Sequence, residues 1–139
     1  MNRRAFISAI GSGSLLSFGG CISEFTGESS VELLQVGVLN WTAEAVSAQI
    51  EVRLGEEVVA DVAYDLDAEG GGRVLDCTWP ADPGAFAVAA RLQDQDDWEI
   101  RDLTDIESEC AATWIMIERP TGPPSMLISR DCEFYAGRC

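Results

Sequence analysis

From Val46 the apolar residues fall on every second position. Val46, Ala48, Ile50, Val52 and Leu54 alternate with Ser47, Gln49, Glu51 and Arg53, which gives an extended strand one apolar and one polar face. Gly55 and Glu56 turn the chain tightly, and Val58, Ala60, Val62 and Tyr64 continue the inward row on the returning strand. Further strands are predicted over Glu32 to Leu39, Arg73 to Trp79, Ala85 to Leu92, Trp98 to Leu103, Cys110 to Glu118 and Met126 to Asp131. Between them lie turn signals at Glu69 to Gly72, Pro80 to Gly84, Gln93 to Asp97 and Pro120 to Pro124. Strands recurring at roughly 8 to 12 residues, with no helical stretch of comparable quality, predict an all-β antiparallel sandwich of seven or eight strands over residues 31–139.

What precedes the sandwich reads as a processing segment. Arg3 and Arg4 open it, a mildly apolar run from Ser8 to Gly20 follows, and small residues stand before Cys21. A charged start, a short apolar stretch and a small-residue cleavage point are the three parts of a signal peptide. The run is too short and too glycine-rich to span a bilayer, which takes about 20 predominantly apolar residues. Paired arginines followed at two residues by Phe6 resemble the twin-arginine signal, which exports folded proteins. Phe18, Gly19, Gly20 and Cys21 resemble a lipobox, with phenylalanine where leucine is usual, and this resemblance implies a lipid on the Cys21 thiol. Residues 1–20 are thus expected to be removed, and residues 21–30, rich in Ser, Gly, Thr and Glu, to form the lipidated cysteine and a spacer.

Charge narrows the function classes. All 24 acids lie after Cys21 against seven arginines, a net of minus 17, and the chain has no lysine and no histidine. Such a surface repels phosphate, so nucleic acid is not an expected partner. At 47% hydrophobic residues with clear alternation, the chain is not expected to be disordered. Its self-repulsion acts over roughly 10 Å at 0.1 M salt and about 3 Å at 1 M, so the composition suits a salty solvent. Lack of histidine removes Ser/His/Asp and Cys/His nucleophilic sites, and no cofactor is called for.

Four cysteines remain once Cys21 is given to the lipid: Cys77, Cys110, Cys132 and Cys139, which allow three pairings. A hairpin turning at Pro120 to Pro124 would bring Cys110 opposite Cys132 and leave Cys77 for Cys139. The rival is a local Cys132–Cys139 loop with Cys77–Cys110. Their spacing fits no zinc knuckle. Asp94, Asp96 and Asp97 share one turn and are candidate calcium ligands, without the glycine and distal glutamate of an EF-hand loop. Asn40, Trp41 and Thr42 match the N-glycosylation acceptor triplet. Trp98 and Trp114 share phase with Ile100 and Met116 and are expected in the core. Trp41 and Trp79, at a strand end and beside a proline turn, are the candidate binding surface.

The acidic, lysine-free composition together with the export signal resembles the exported lipoproteins of extremely halophilic archaea. The phrase Trp79-Pro80-Ala81-Asp82-Pro83-Gly84-Ala85-Phe86 before an alternating strand is similar to the turn into a late strand of their immunoglobulin-like sandwiches. That resemblance implies a non-catalytic binding or structural module, lipid-anchored on the outer face of the cell membrane, with an envelope protein or glycan as partner. The alternative is a surface hydrolase working through carboxylates or calcium. Fold alone does not choose, since one sandwich hosts many roles. Screening of the uncompensated charges sets the first expected outcome. The melting temperature of the processed chain should rise by at least about 10 °C between 0.1 and 2 M NaCl, corresponding to roughly 2 kcal/mol for a domain of this size. A melting temperature indifferent to salt would refute the halophilic expectation.

Overall fold

A computed structural model describes residues 30–139. The expected signal (Arg3, Arg4, Phe6), the lipidated Cys21 and nearly all of the spacer lie outside the described residues. Eight strands follow in order: β1 (Glu32–Asn40), β2 (Val46–Leu54), β3 (Glu57–Leu66), β4 (Gly71–Val74), β5 (Phe86–Leu92), β6 (Glu99–Asp102), β7 (Cys110–Ile117) and β8 (Ser125–Ser129). A 3-10 turn, Leu103–Asp105, follows β6, and a single helical turn, α1 (Cys132–Tyr135), follows β8. The strands form two four-stranded sheets, β4-β1-β7-β8 and β3-β2-β5-β6, so the chain is an all-β sandwich. All pairings are antiparallel except β1 with β7, which run parallel.

The core lies between the sheets. Ala48, Ile50 and Val52 of β2 and Phe86, Val88, Ala90 and Leu92 of β5 meet Val36 and Val38 of β1 and Ile115 and Ile117 of β7, all buried. Each such large side chain contributes about 1.5–3 kcal/mol by leaving water. The predicted alternation in β2 is therefore observed. In β3 it holds only part-way: Ala60, Val62 and Tyr64 pack against the core, but Val58 is exposed. A bulge is the reason. Val52 pairs with Ala60 and Arg53 with Val58, so Val59 is the extra residue, and the inward row shifts by one across it.

Two tryptophans take the face opposite to the expected one. Trp98 shares its face with Ile100, as the phase requires, but that face is the outer one: Ile100 is exposed, and Trp98 stacks against Arg91 and Arg53, 4.8 and 5.8 Å from its ring. Cation–ring contacts of this kind hold the indole against the sheet's outer, charged face. On β7 both phases are apolar, and the sheet selects Ala111, Thr113, Ile115 and Ile117 for the interior, the outer row being Ala112, Trp114 and Met116. Trp114 lies across Gly37 of β1, where any β-carbon would collide with the indole ring. Its Nε1 donates to the Tyr135 hydroxyl of α1 at 3.3 Å.

Strand β4 ends at Val74, short of the predicted Trp79. Beyond it Trp79 turns inward, 5% exposed, and its Nε1 donates to the Leu33 carbonyl at 2.8 Å. A buried indole with a satisfied N–H is a packing element.

Two disulfides are formed, Cys77–Cys139 and Cys110–Cys132, with Cα–Cα distances of 5.6 and 5.7 Å. The β7–β8 hairpin places Ala112 opposite Ser129, so Cys110 and Cys132 meet at its open end. The second bond returns the chain terminus to the β4–β5 connection and seats α1 on β1 and β7. It closes a sequence separation of 62, the other 22. In the chain-entropy model these loops are worth about 4 and about 3 kcal/mol. Replacing Cys77 and Cys139 by serine should therefore cost about 4 kcal/mol of unfolding free energy, read by urea denaturation. A loss no larger than that from removing the Cys110–Cys132 bond would contradict this order.

Candidate binding surface

Strand β1 ends on a residue that organises one whole end of the sandwich. Asn40 is fully buried. Its Oδ1 accepts from the Thr42 backbone N–H at 2.9 Å and from the Thr42 hydroxyl at 2.8 Å. Its Nδ2 donates to the Glu44 and Asp67 carbonyls at 2.8 and 3.0 Å, with the Leu66 carbonyl at 3.4 Å. The partners fix the amide orientation, because three carbonyls can face only the NH2 group and a backbone N–H only the oxygen. The loop after β1 is thereby tied to the turn after β3. That turn is closed by Gly70 N–H donating to the Asn40 carbonyl and Glu69 N–H to the Thr42 carbonyl, with Glu69 at φ 58° and Gly70 at φ 108°.

The structure gives the Asn40-Trp41-Thr42 triplet a use in the turn. Asparagine and threonine two residues apart also make an Asx turn, in which the side-chain oxygen captures the i+2 N–H. Here the triplet is used that way. Asn40 Nδ2 is enclosed and engaged with backbone carbonyls in the folded domain.

Trp41, lying between two buried neighbours, is held outward with 54% of its surface exposed. Its backbone N–H donates to the Ile117 carbonyl at 2.8 Å, which sets it beside the end of β7. The β5–β6 loop reaches the same end: Gln93 N–H donates to the Ser47 carbonyl at 2.8 Å, and Gln95 Oε1 accepts from Gly122 N–H at 3.4 Å. Between these loops is a shallow depression of about 430 Å3, lined by Glu44, Ser47, Leu92, Gln93, Asp94 and Pro120 among others. Of the two tryptophans expected at the surface, then, only Trp41 is there. Trp79 is withdrawn into the core.

The aspartates Asp94, Asp96 and Asp97 are all exposed, and Asp96 Oδ1 lies 4.0 Å from Arg91 Nη1. Among the described residues no three Asp, Glu, Cys or His side chains converge as metal ligands. A calcium ion takes 6–8 oxygens at about 2.3–2.6 Å, and the three exposed side chains of this turn form no such cluster.

Sequence reasoning missed the Arg53–Trp98–Arg91 stack and the Trp114–Gly37 contact. Opposite-phase aromatics look alike until the partner strand is known. Asn40 supplies the test of this end of the molecule. Asn40→Asp presents a carboxylate to three carbonyls and should cost about 3 kcal/mol, the scale of a buried polar group left unsatisfied. Urea denaturation reads it, and a loss below about 0.5 kcal/mol would show the network to be dispensable. Compared with known proteins, the chain matches no family model, no curated protein and no solved structure.

Proposed function

We propose that this protein is a lipid-anchored, extracytoplasmic binding module of the cell envelope, an immunoglobulin-like domain without catalytic activity. The observation that carries the reading is the polarity of β1. Ser30 and Glu32 lie with Pro83, Glu109 and Cys132 at one end of the sandwich, and nine residues later the strand delivers Trp41 to the other end. At about 3.3 Å per residue the strand separates the two by roughly 30 Å. A chain tethered through Cys21 enters at the first end and holds the Trp41 loops away from the membrane.

The immunoglobulin-like assignment is supported by strand order. With β1 and β4 as strands B and E of one sheet, β3-β2-β5-β6 follows the C′-C-F-G order of variable-type domains. Trp41, Glu44, Gln93 and Asp94 then belong to the B–C and F–G loops, the loops with which such domains bind. Two features depart from that pattern: β7 runs parallel to β1, and the disulfides bind the C-terminal segment instead of joining B to F. Binding is favoured over hydrolysis because Glu44 and Asp94, the acids lining the depression, are both exposed to solvent. A carboxylate pair acting as acid and base works best where water is held off. An exposed indole among acids suits a partner with cationic or sugar groups.

Cys21→Ser should move protein from membrane to medium or leave it uncleaved, and lysine at both Arg3 and Arg4 should leave precursor in the cytoplasm. Membrane retention of processed Cys21→Ser protein would overturn the anchoring. A photo-crosslinking residue at position 41 should capture a partner in intact cells while one at Glu56, in the β2–β3 turn at the other end, should not. Equal capture at both positions would remove the binding role from the Trp41 loops.

A further inference from the structure

The outer face of the β4-β1-β7-β8 sheet contrasts with the rest of the surface. One row across it reads Val74, Gly37, Trp114, Leu127, strand by strand. The outward positions of β1, β7 and β8 are Gln35, Gly37 and Leu39; Ala112, Trp114 and Met116; Ser125, Leu127 and Ser129. None is charged, in a chain with 24 acids; α1, with the exposed Glu133, lies against the β1 and β7 part of this sheet and leaves the β8 edge open. The other sheet's outer face carries Glu51, Arg53, Asp61, Asp65 and Arg91. Val74 is 52% and Leu127 61% exposed, at the two ends of the row.

The edges differ in the same way. β3 forms one edge of its sheet and is lined with Glu57, Asp61 and Asp65, the usual protection against pairing with another chain. β8 forms an edge of the other sheet, and its sequence Ser-Met-Leu-Ile-Ser contains no charge, proline or glycine. Its far side has no strand partner among the described residues.

We infer that β8 is the seam of a homodimer, pairing antiparallel with β8 of a second copy about a two-fold axis through Leu127. Leu127 is the middle residue of this five-residue strand, so the axis sets Leu127 against Leu127, Met126 against Ile128 and Ser125 against Ser129. Polar ends meet polar ends and apolar centres meet, which is the self-complementarity an isologous contact requires. Continuing the register puts Arg130 against Pro124, so like charges do not meet along the seam. The two sheets become one of eight strands, and the two exposed Leu127 side chains meet at its centre. Because each copy is strongly negative, most other contacts between copies bring acids together. The β8 edge avoids that, and salt should strengthen the contact by screening the remaining repulsion. The inference does not depend on membrane anchoring.

Sedimentation of the full processed chain in 2 M NaCl should show a dimer whose dissociation constant weakens at least tenfold in Leu127→Glu, which opposes two carboxylates on the axis. Leu127→Ser serves as the second variant should the glutamate disturb folding, with circular dichroism reporting the fold of each. Leu127→Cys on the axis should form an intermolecular disulfide readily, and Val74→Cys, exposed on the same face at the far edge, should not. A wild-type monomer at 100 µM in high salt, a dimer indifferent to Leu127→Glu and Leu127→Ser, or equal cross-linking at both cysteines would overturn the assignment. So would binding of the monomer to phospholipid vesicles through Leu127, which would make the face a membrane surface instead.

Discussion

Strand β1 is buried on both sides, and the other elements are arranged to achieve that. On its inner side Val36 and Val38 join the core. On its outer side Gly37 has no side chain, and Trp114 from the parallel neighbour fills the space. The indole in turn needs cover for its N–H, which Tyr135 of α1 supplies. A single helical turn is not stable by itself. It stays in place because disulfides hold the chain at its first residue, Cys132, and shortly after it, at Cys139. Oxidation, the helical turn, the tryptophan and the glycine are thus one connected device for covering a strand. Arg138, 4.9 Å from the Phe134 ring, shields the last part of it.

The second organising constraint is where a very acidic chain puts its charge. Arginine is scarce, and the structure spends it on surfaces that need aliphatic and aromatic cover as much as charge. Arg53 and Arg91 flank Trp98 while bonding to Glu51 and to Gln49. Arg73 reaches from β4 to within 5.3 Å of the Tyr64 ring on the facing sheet. Long guanidinium side chains pack their stems on rings and keep their heads wet. Acids fill the β3 edge and the loops, leaving the outer face of the β1 sheet neutral. A sandwich with one charged and one neutral sheet is asymmetric by construction, and that asymmetry supports the reading of the neutral side as a contact surface.

Asn40 shows how one short run of residues carries two different expectations. In sequence the triplet Asn40-Trp41-Thr42 reads as a modification signal; in the fold the same two polar side chains close a turn and hold Trp41 outward. Both uses need an amide and a hydroxyl two residues apart. Burial decides between them, and burial belongs to the tertiary structure.

The period-two rows from Val46 to Leu54 and from Phe86 to Leu92, with glycine- and proline-rich turns between them, were enough to determine an all-β sandwich, because a strand with one apolar face must bury it against another. The spacing of Cys110 and Cys132 about the Pro120 to Pro124 turn likewise made their bond legible, since a hairpin brings its ends together. Tertiary structure decided what alternation leaves open. On β7 both faces are apolar, so which one faces inward depended on the partner: Ile115 and Ile117 fill the core, while Trp114 finds room only over Gly37. The bulge at Val59 shifted a row that the sequence presents as continuous. Trp79, Asn40 and Asp94 to Asp97 carry the same side chains whether buried or exposed, clustered or splayed. Their roles follow from which backbone groups the fold brings within hydrogen-bonding distance, and local sequence does not encode that.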